Sequence, residues 1–182
     1  MNKRAATLLL PLFVVLATAA VAAANNITTT GTVTGAGSVS LSAGATASFS
    51  DTLDGTDQTV TYQLPLTVVD ARGTGGGWNM TVTSTQFTTG TRTLATSASS
   101  MTTVASACNA GSTCTSPTNA LTLPIAVPAG VTAPTAVKFF NSTANTGMGA
   151  FTVTPTVSVT IPGNAYAGSY ASTVTIAIAA GP

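Results

Sequence analysis

The sequence predicts an all-β fold, an antiparallel and barrel-like β-sandwich in a single domain that follows a signal peptide. Apolar and polar residues alternate along several segments, which is the period-2 pattern of strands. Threonine is abundant, and its β-branched side chain suits a pleated surface. Beyond the first residues, no segment shows a clear 3.6-residue period. The alternating segments indicate roughly 8 to 12 strands.

The composition limits the classes of function. The chain has 182 residues, of which 45% are hydrophobic and 5% charged, and it contains no histidine. This apolar fraction allows a core, and the charge is too low for self-repelling disorder. No basic patch is present to attract nucleic acid. Without histidine or glutamate, the many Ser and Thr hydroxyls have no base to activate them, so the sequence predicts a protein without enzyme activity or cofactor.

The first 24 residues have the layout of a secretory signal peptide. Lys3 and Arg4 form a positive region, residues 8–16 an apolar run, and residues 22–24 a small-residue cleavage site. Cleavage after Ala24 leaves an exported, nearly neutral domain, residues 25–182, that makes no further contact with the membrane. An uncleaved anchor is the alternative, although the apolar run is short for a full span.

Residues 25–50 are rich in Thr, Gly, Ser and Ala, and this weak pattern predicts short strands at a sheet edge. Three aspartates follow at a spacing of three: Asp51, Asp54 and Asp57. Oxygen-rich loops of this kind can hold calcium. The spacing differs from the helix–loop–helix calcium motif, however, and no bidentate glutamate follows. A turn at Asp54-Gly55 that leads into the next strand is therefore the favoured interpretation, with calcium as the alternative.

A strand is predicted over residues 58–69, and a second strand starts at Trp78, the only tryptophan. The glycines of the loop at residues 73–77 can take positive φ at no steric cost. The chain is therefore predicted to reverse there, between two antiparallel strands. The residues that share one face are Val60, Tyr62, Leu64, Leu66 and Val68 before the loop, and Trp78, Met80 and Val82 after it.

Asp70 and Arg72 flank the start of this loop in a chain with very few charges. Two residues apart in an extended segment, they point to the same side and can pair across the loop mouth. Such a pair fixes a loop, whereas the alternative is that Arg72 binds a carboxylate of a ligand.

The segment at residues 94–119 is weakly patterned and follows a Thr-Gly-Thr turn at residues 89–91. It contains the only two cysteines, Cys108 and Cys114. An exported chain meets oxidising conditions, and no histidine or further cysteine is present to complete a zinc site. The sequence therefore predicts a structural disulfide between Cys108 and Cys114.

The remaining segments are also strand-like. Pro124 and Pro128 have the opposite parity to the apolar residues of 121–127 and remove ladder donors, which predicts an edge strand. A short apolar patch follows at residues 137–140, and a bend at residues 147–149 precedes a long strand over residues 151–161. The alternating side chains are Leu121, Leu123, Ile125 and Val127 in the first of these segments, and Tyr170, Ser172, Val174, Ile176 and Ile178 in the last strand.

Two motifs resemble those of the WxL-domain family of Gram-positive surface proteins. The segment Val-x-Asp-x-Arg-Gly…Gly-Trp, with Trp78-Asn79-Met80, resembles the first motif. The C-terminal segment keeps the spacing of the distal motif, Y-x-x-x-L-T-W-x-L-x-x-x-P, with Val, Ile and Ile in place of Leu, Trp and Leu. The matching positions are Tyr170, Val174, Thr175, Ile176, Ile178 and Pro182. The resemblance spans residues 31–182.

The resemblance implies non-covalent attachment to the cell surface through peptidoglycan or another cell-wall polymer. Trp78 is then either a core residue or a contact for sugar rings, and Asp70 and Arg72 are the further candidates for ligand binding. The alternative function is a structural subunit of an extracellular fibre or matrix. In that case the N-terminal segment adds as a strand to the sheet of a neighbouring copy or of another surface protein.

Overall fold

The computed structural model describes residues 31–35, 37–43 and 46–182. The predicted signal peptide, residues 1–24, and the first residues of the predicted domain, 25–30, lie outside the described residues. Val33–Pro182 form one compact unit. In the described part of the chain, no helix has the length and apolar character that a membrane span requires.

The described residues form strands and no helix, which confirms the all-β prediction. Ten residues or fewer make up every strand except β11, which has 13. The strands are β1 (Val39–Ala43), β2 (Gln58–Gln63), β3 (Leu66–Asp70), β4 (Trp78–Thr85), β5 (Thr88–Thr89), β6 (Arg92–Thr93), β7 (Ser99–Cys108), β8 (Ile125–Ala126), β9 (Ala129–Gly130), β10 (Val137–Ser142), β11 (Gly149–Ile161) and β12 (Val174–Ala180).

Two main sheets carry the fold. The first has six strands in the order β1-β3-β11-β7-β8, with β2 also paired to β11. The second has the order β10-β4-β12, and β9 joins β4 over two residues in the parallel direction. Strands β5 and β6 form a separate hairpin around the predicted Thr-Gly-Thr turn. The two sheets share no ladder in the described residues, so the sandwich is open rather than closed into a barrel.

One cluster of buried side chains draws on both sheets. Strand β11 contributes every second residue from Phe151 to Val159, as its alternation predicts. Each such side chain stabilises the fold by about 1.5–3 kcal/mol on burial. The fully buried members with the largest volumes are Trp78, Phe139, Phe151, Met80 and Met101.

The strand predicted over residues 58–69 forms in two parts, β2 and β3, that both pair with β11 in a single register. Gln63 lies opposite Thr156 and Leu66 opposite Val153, so neither of the two paired segments has an inserted residue. Between the two parts, the Leu64 amide still donates to the carbonyl oxygen of Pro155 at 3.0 Å. The ladder is interrupted because Pro65 has no amide hydrogen to donate.

The predicted hairpin around the glycine loop is wrong. Strand β3 pairs with β1 and β11 in the six-stranded sheet, whereas β4 pairs with β10 and β12 in the other. The loop between them, residues 71–77, therefore crosses from one sheet to the other. Gly73, Gly75 and Gly77 have φ of 70°, 63° and 66°, which permits this crossing. At Gly77, a Cβ atom would collide with the carbonyl oxygen of Ser142.

The weakly patterned segment at residues 94–119 contains a strand that its pattern does not reveal. Strand β7 is ten residues long and pairs with β11 along most of its length. Only its first part is inward and buried, at Ser99 and Met101, and the rest is largely exposed. Since one of the two buried residues is a serine, no apolar alternation marks this strand.

The edge predictions are confirmed in position but not in length. Strand β1 lies at one edge of the six-stranded sheet, as expected for the N-terminal segment. Strand β8 lies at the other edge but covers only Ile125 and Ala126, so Leu121 and Leu123 fall outside it. The last strand, β12, begins at Val174, which leaves Tyr170 and Ser172 in the preceding loop.

Candidate functional site

The two sequence motifs lie on adjacent antiparallel strands, β4 and β12. Met80 lies opposite Ile178, Val82 opposite Ile176, and Trp78 opposite Ala180. Beyond the ladder, the Asn79 side-chain amide donates to the carbonyl oxygen of Gly181 at 2.7 Å, and the Gly181 amide donates to that of Gly77 at 3.1 Å. The proximal and distal motifs therefore form one continuous unit of structure.

Trp78 is a core residue, with 0% of its surface exposed. Its indole Nε1 donates a hydrogen bond to the carbonyl oxygen of Gly147 at 2.9 Å, and its ring centroid lies 5.7 Å from that of Phe140. A Cβ atom at Gly147, whose φ is 67°, would crowd both the indole nitrogen and the Ser142 side chain. The ring thus has no face open to a ligand in this structure.

Asp70 and Arg72 form a bidentate ion pair at the loop mouth. Arg72 Nε donates to Asp70 Oδ1 and Arg72 Nη2 to Oδ2, both at 2.8 Å. The same Nη2 donates to the carbonyl oxygen of Gly77 at 2.6 Å, which ties the two ends of the loop together. The side chains are 1% and 11% exposed for Asp70 and Arg72, so the pair is mostly withdrawn from water.

The ion pair changes the protonation equilibria of both partners. The hydrogen bond from Arg72 holds the pKa of the Asp70 carboxyl below its usual value, against the opposing effect of burial. Asp70 in turn raises the pKa of Arg72. Both carboxylate oxygens are already bound to the guanidinium, so the geometry is that of a loop-fixing pair.

Several residues of the distal motif also pack against the core or form hydrogen bonds within the fold. Val174, Ile176 and Ile178 alternate as half-buried side chains packed against the core, whereas Thr175 is exposed. Tyr170 donates from its hydroxyl to the carbonyl oxygen of Tyr166 at 3.0 Å. The carbonyl oxygen of Pro182 accepts a hydrogen bond from Lys138 Nζ at 3.2 Å.

The predicted disulfide is present between Cys108 and Cys114, with Cα atoms 5.9 Å apart. It joins the end of β7 to the loop that passes beside Gly149, at the start of β11. The Asn109 side chain adds to this anchorage by accepting from the Thr152 hydroxyl at 2.7 Å. The bond therefore fixes the edge of a loop against the central strand.

The three candidate calcium ligands are engaged separately. Asp54 Oδ1 accepts from the Thr56 amide and hydroxyl and from the Gln58 side chain at 2.9, 2.7 and 2.7 Å. The Thr56 hydroxyl is the first cause of a lowered Asp54 pKa. Asp51 accepts from the Thr52 amide, and Asp57 from the Gly163 amide. Within the described residues, no cluster of three His, Cys, Asp or Glu could hold a metal ion.

A groove of about 1040 Å³ lies away from Trp78 and the Asp70–Arg72 pair, although Asp51, Tyr170 and Val174 line it, and the sequence reasoning missed it. All three tyrosines and two of the six phenylalanines line it. We call it the aromatic groove, after the five residues Phe49, Tyr62, Phe87, Tyr166 and Tyr170. Phe49, Tyr62 and Phe87 come from segments far apart in the sequence, and of the five residues only Tyr170 belongs to a motif. The one available signal was a pair of tyrosines in a loop of small residues.

The rings of the aromatic groove are arranged in contact. Phe49 stacks on Tyr62 with centroids 5.8 Å apart and meets Phe87 edge-on at 5.7 Å. At one end, the Arg92 guanidinium lies 3.8 Å from the centroid of the Tyr166 ring. Burial raises the pKa of Tyr62 to about 12, and its hydroxyl has no hydrogen-bond partner among the described residues. The groove thus offers ring surface together with an unused polar group.

Comparison with protein families gives one match. The family model described as "WxL domain surface cell wall-binding" matches residues 24–182. This confirms the resemblance seen in the two motifs, and the matched range also contains the aromatic groove. No curated protein and no solved structure matches the chain.

Proposed function

This chain belongs to the WxL family of surface cell-wall-binding domains, and from that premise we propose that it is a secreted protein that attaches non-covalently to peptidoglycan. The observation that carries the proposal is the family match over residues 24–182, which is nearly the whole chain. The match begins beside the predicted cleavage site at Ala24, which supports removal of the preceding residues on export.

We further propose that the protein acts by binding alone. The one carboxylate that is buried in the described residues, that of Asp70, has both oxygens occupied by Arg72 and is not free to act as a general base. The paired motifs are committed to packing and backbone hydrogen bonds. These contacts support a rigid binding module rather than a catalytic centre.

Co-sedimentation with purified cell-wall sacculi tests this function. Protein exported by cells that express the full-length chain is expected to sediment with sacculi and to remain largely in the supernatant with cellulose. A protein that stays in the supernatant with sacculi at moderate salt would contradict the proposal. Recovery of the bound fraction by denaturant without any covalent wall fragment, measured by mass spectrometry, checks the non-covalent part.

A second candidate function is a structural subunit of a fibre or matrix. The position of β1 favours it, because this five-residue strand lies at the edge of the six-stranded sheet beside β3. An equivalent strand from another copy can add at such an edge through backbone hydrogen bonds. Electron microscopy of the concentrated protein separates the two functions: regular filaments support assembly, whereas monodisperse particles at all concentrations contradict it.

A further inference from the structure

We propose that the aromatic groove is the wall-binding site and that its ligand is the glycan strand of the wall, bound through uncharged sugar rings. This inference rests on the proposed function and names the site and the ligand class for it. Trp78, Asp70 and Arg72 do not provide the site, because Trp78 has no exposed surface and Asp70 is committed to Arg72. Tyr170 and Val174 of the distal motif, by contrast, line the groove.

The size of the groove suits an oligomer. Ligand pockets for small molecules have volumes of about 300–1,000 Å³, and the aromatic groove is just above this range, at about 1040 Å³. It is also partly open to solvent, since four of its five aromatic residues are half-buried and Tyr166 is 59% exposed. A polymer can therefore reach it from solvent.

The chemistry of the lining favours sugar rings. Pyranose rings present flat apolar C–H faces and a polar rim, which matches aromatic side chains placed beside hydroxyl groups. The lining also includes serine and threonine residues, such as Thr46, Ser48 and Ser50. The Tyr62 hydroxyl, without a partner among the described residues, is a ready hydrogen-bond group for a sugar hydroxyl or acetamido group.

The charge of the lining disfavours an anionic polymer. Asp51 is the one charged residue that lines the aromatic groove in the described part of the chain. A polyphosphate chain would meet this carboxylate within the lining, whereas the cation Arg92 stands at one end of the groove and not in its lining. Arg92 lies against the outer ring, Tyr166, and its guanidinium faces that ring. An uncharged glycan is therefore the better match than a phosphate-rich wall polymer.

The position of the groove explains how both motifs serve the site although only the distal motif lines it. Val174, at the start of β12, lines the groove, and Ala180, at the end of that strand, pairs with Trp78. These ends are about 20 Å apart at the rise of an extended strand. Trp78 of the proximal motif thus anchors one end of β12, and Val174 at the other end, with Tyr170 before it, forms part of the groove wall.

The test uses soluble glycan strands released from sacculi. Acid removes the phosphate-rich polymers, an amidase removes the stem peptides, and the carboxyl groups that the amidase exposes are capped as amides, so that this stripped glycan is uncharged. Tyr166→Ala and Tyr62→Phe are the groove variants. The control is Lys138→Ala, on β10, because the Lys138 side chain donates to the carbonyl oxygen of Pro182 and does not line the groove. We expect each groove variant to weaken binding to stripped glycan by about three- to tenfold. Their melting temperatures should stay close to the wild-type value, and the control should bind normally.

Each contrary outcome identifies what has failed. If the wild-type protein binds intact sacculi but not the stripped glycan, the ligand is a peptide or an anionic polymer and the inference is wrong. If both groove variants bind stripped glycan as tightly as the wild type, the site lies elsewhere, although the proposed function stands. If the wild type binds no sacculi at all, the proposed function itself fails, and the site assignment fails with it.

Discussion

Met80 on β4 lies directly opposite Ile178 on β12, so the third residues of the two WxL-type motifs face each other across the same ladder. Met80 is fully buried, and Ile178 packs half-buried against the core. Trp78 lies two residues before Met80 on β4, and Ile176 lies two residues before Ile178 on β12. Because the strands are antiparallel, Trp78 and Ile176 lie on opposite sides of the Met80–Ile178 pair. The two motifs are therefore the two halves of one packing unit.

The Met80–Ile178 pair predicts a measurable coupling. Met80→Ala should destabilise the fold by about 2–5 kcal/mol, and Ile178→Ala by an amount near the lower limit of that range because it is half-buried. In a double-mutant cycle by urea unfolding, we expect a coupling of about 0.5–1 kcal/mol. Thr175→Ala, on the exposed face of β12, is the control and should show no coupling to Met80. Strict additivity for the pair would contradict the shared packing.

The burial of Trp78 can be measured by tryptophan fluorescence. Its fluorescence emission should be blue-shifted in the folded protein and poorly quenched by iodide, since no part of the ring is exposed. Trp78→Ala should cost about 3–5 kcal/mol by the cavity that it leaves. Val131→Ala, at a residue that is 91% exposed, should leave the melting temperature unchanged. A red-shifted, readily quenched emission from the folded protein would place the ring at the surface and overturn this assignment.

The Asp70–Arg72 pair predicts an acid-sensitive contribution to stability. The pKa of Asp70 is lowered in the folded state, so the pair stabilises the fold fully above about pH 4, the pKa in an unfolded chain, and less as the pH falls toward the lowered value. Asp70→Asn should remove this part of the pH dependence of the free energy of unfolding.

Removing the other partner should be more damaging. Arg72→Ala leaves the buried Asp70 carboxylate without its cation and should cost about 3–5 kcal/mol near neutral pH. Asp51→Asn, at an exposed carboxylate, is the control for both variants. An Arg72→Ala protein as stable as the wild type, with weakened wall binding, would instead favour a ligand role for Arg72.

The Cys108–Cys114 disulfide should contribute modestly to stability. It closes a loop with a sequence separation of six, for which the chain-entropy model gives on the order of 2 kcal/mol. The Cys108→Ala/Cys114→Ala double variant should therefore melt about 4–8 °C lower than the oxidised wild type. Reduction of the wild type should reproduce this shift. A reduced protein that melts at the oxidised temperature would show that the closed loop adds nothing.

Calcium should leave the melting temperature unchanged at millimolar concentration. The carboxylates of Asp51, Asp54 and Asp57 accept hydrogen bonds from separate partners and are not brought together. A calcium-dependent rise in the melting temperature, abolished by Asp54→Asn, would revive the calcium interpretation of this loop.

Side-chain alternation predicted strands well where the inward residues are large. The long strand β11 was predicted because its inward positions run from Phe151 to Val159 without a polar interruption. Strand β7 was missed because Ser99 occupies a buried inward position. Alternation gives the phase of a strand but not its partner, which is why β3 and β4 were expected to form a hairpin although they belong to different sheets.

Part of the candidate site could likewise be predicted from the sequence, and part of it could not. The ion pair of Asp70 and Arg72 could be anticipated because local spacing sets its geometry. The aromatic groove could not, since Phe49, Tyr62 and Tyr166 meet only through the tertiary fold. Trp78, the only tryptophan, was considered as a contact for sugar rings, but burying its large apolar ring in the core stabilises the fold.

The central place of β11 has a consequence for the order in which the chain can fold. Its ladder partners are β2 and β3 on one side and β7 on the other, and all of them precede it by long stretches of sequence. Contacts of such high sequence separation close slowly, on the timescale of about milliseconds to seconds for all-β domains. Until β11 arrives, the earlier strands keep unpaired edges and open apolar faces, which makes the newly made chain prone to aggregation.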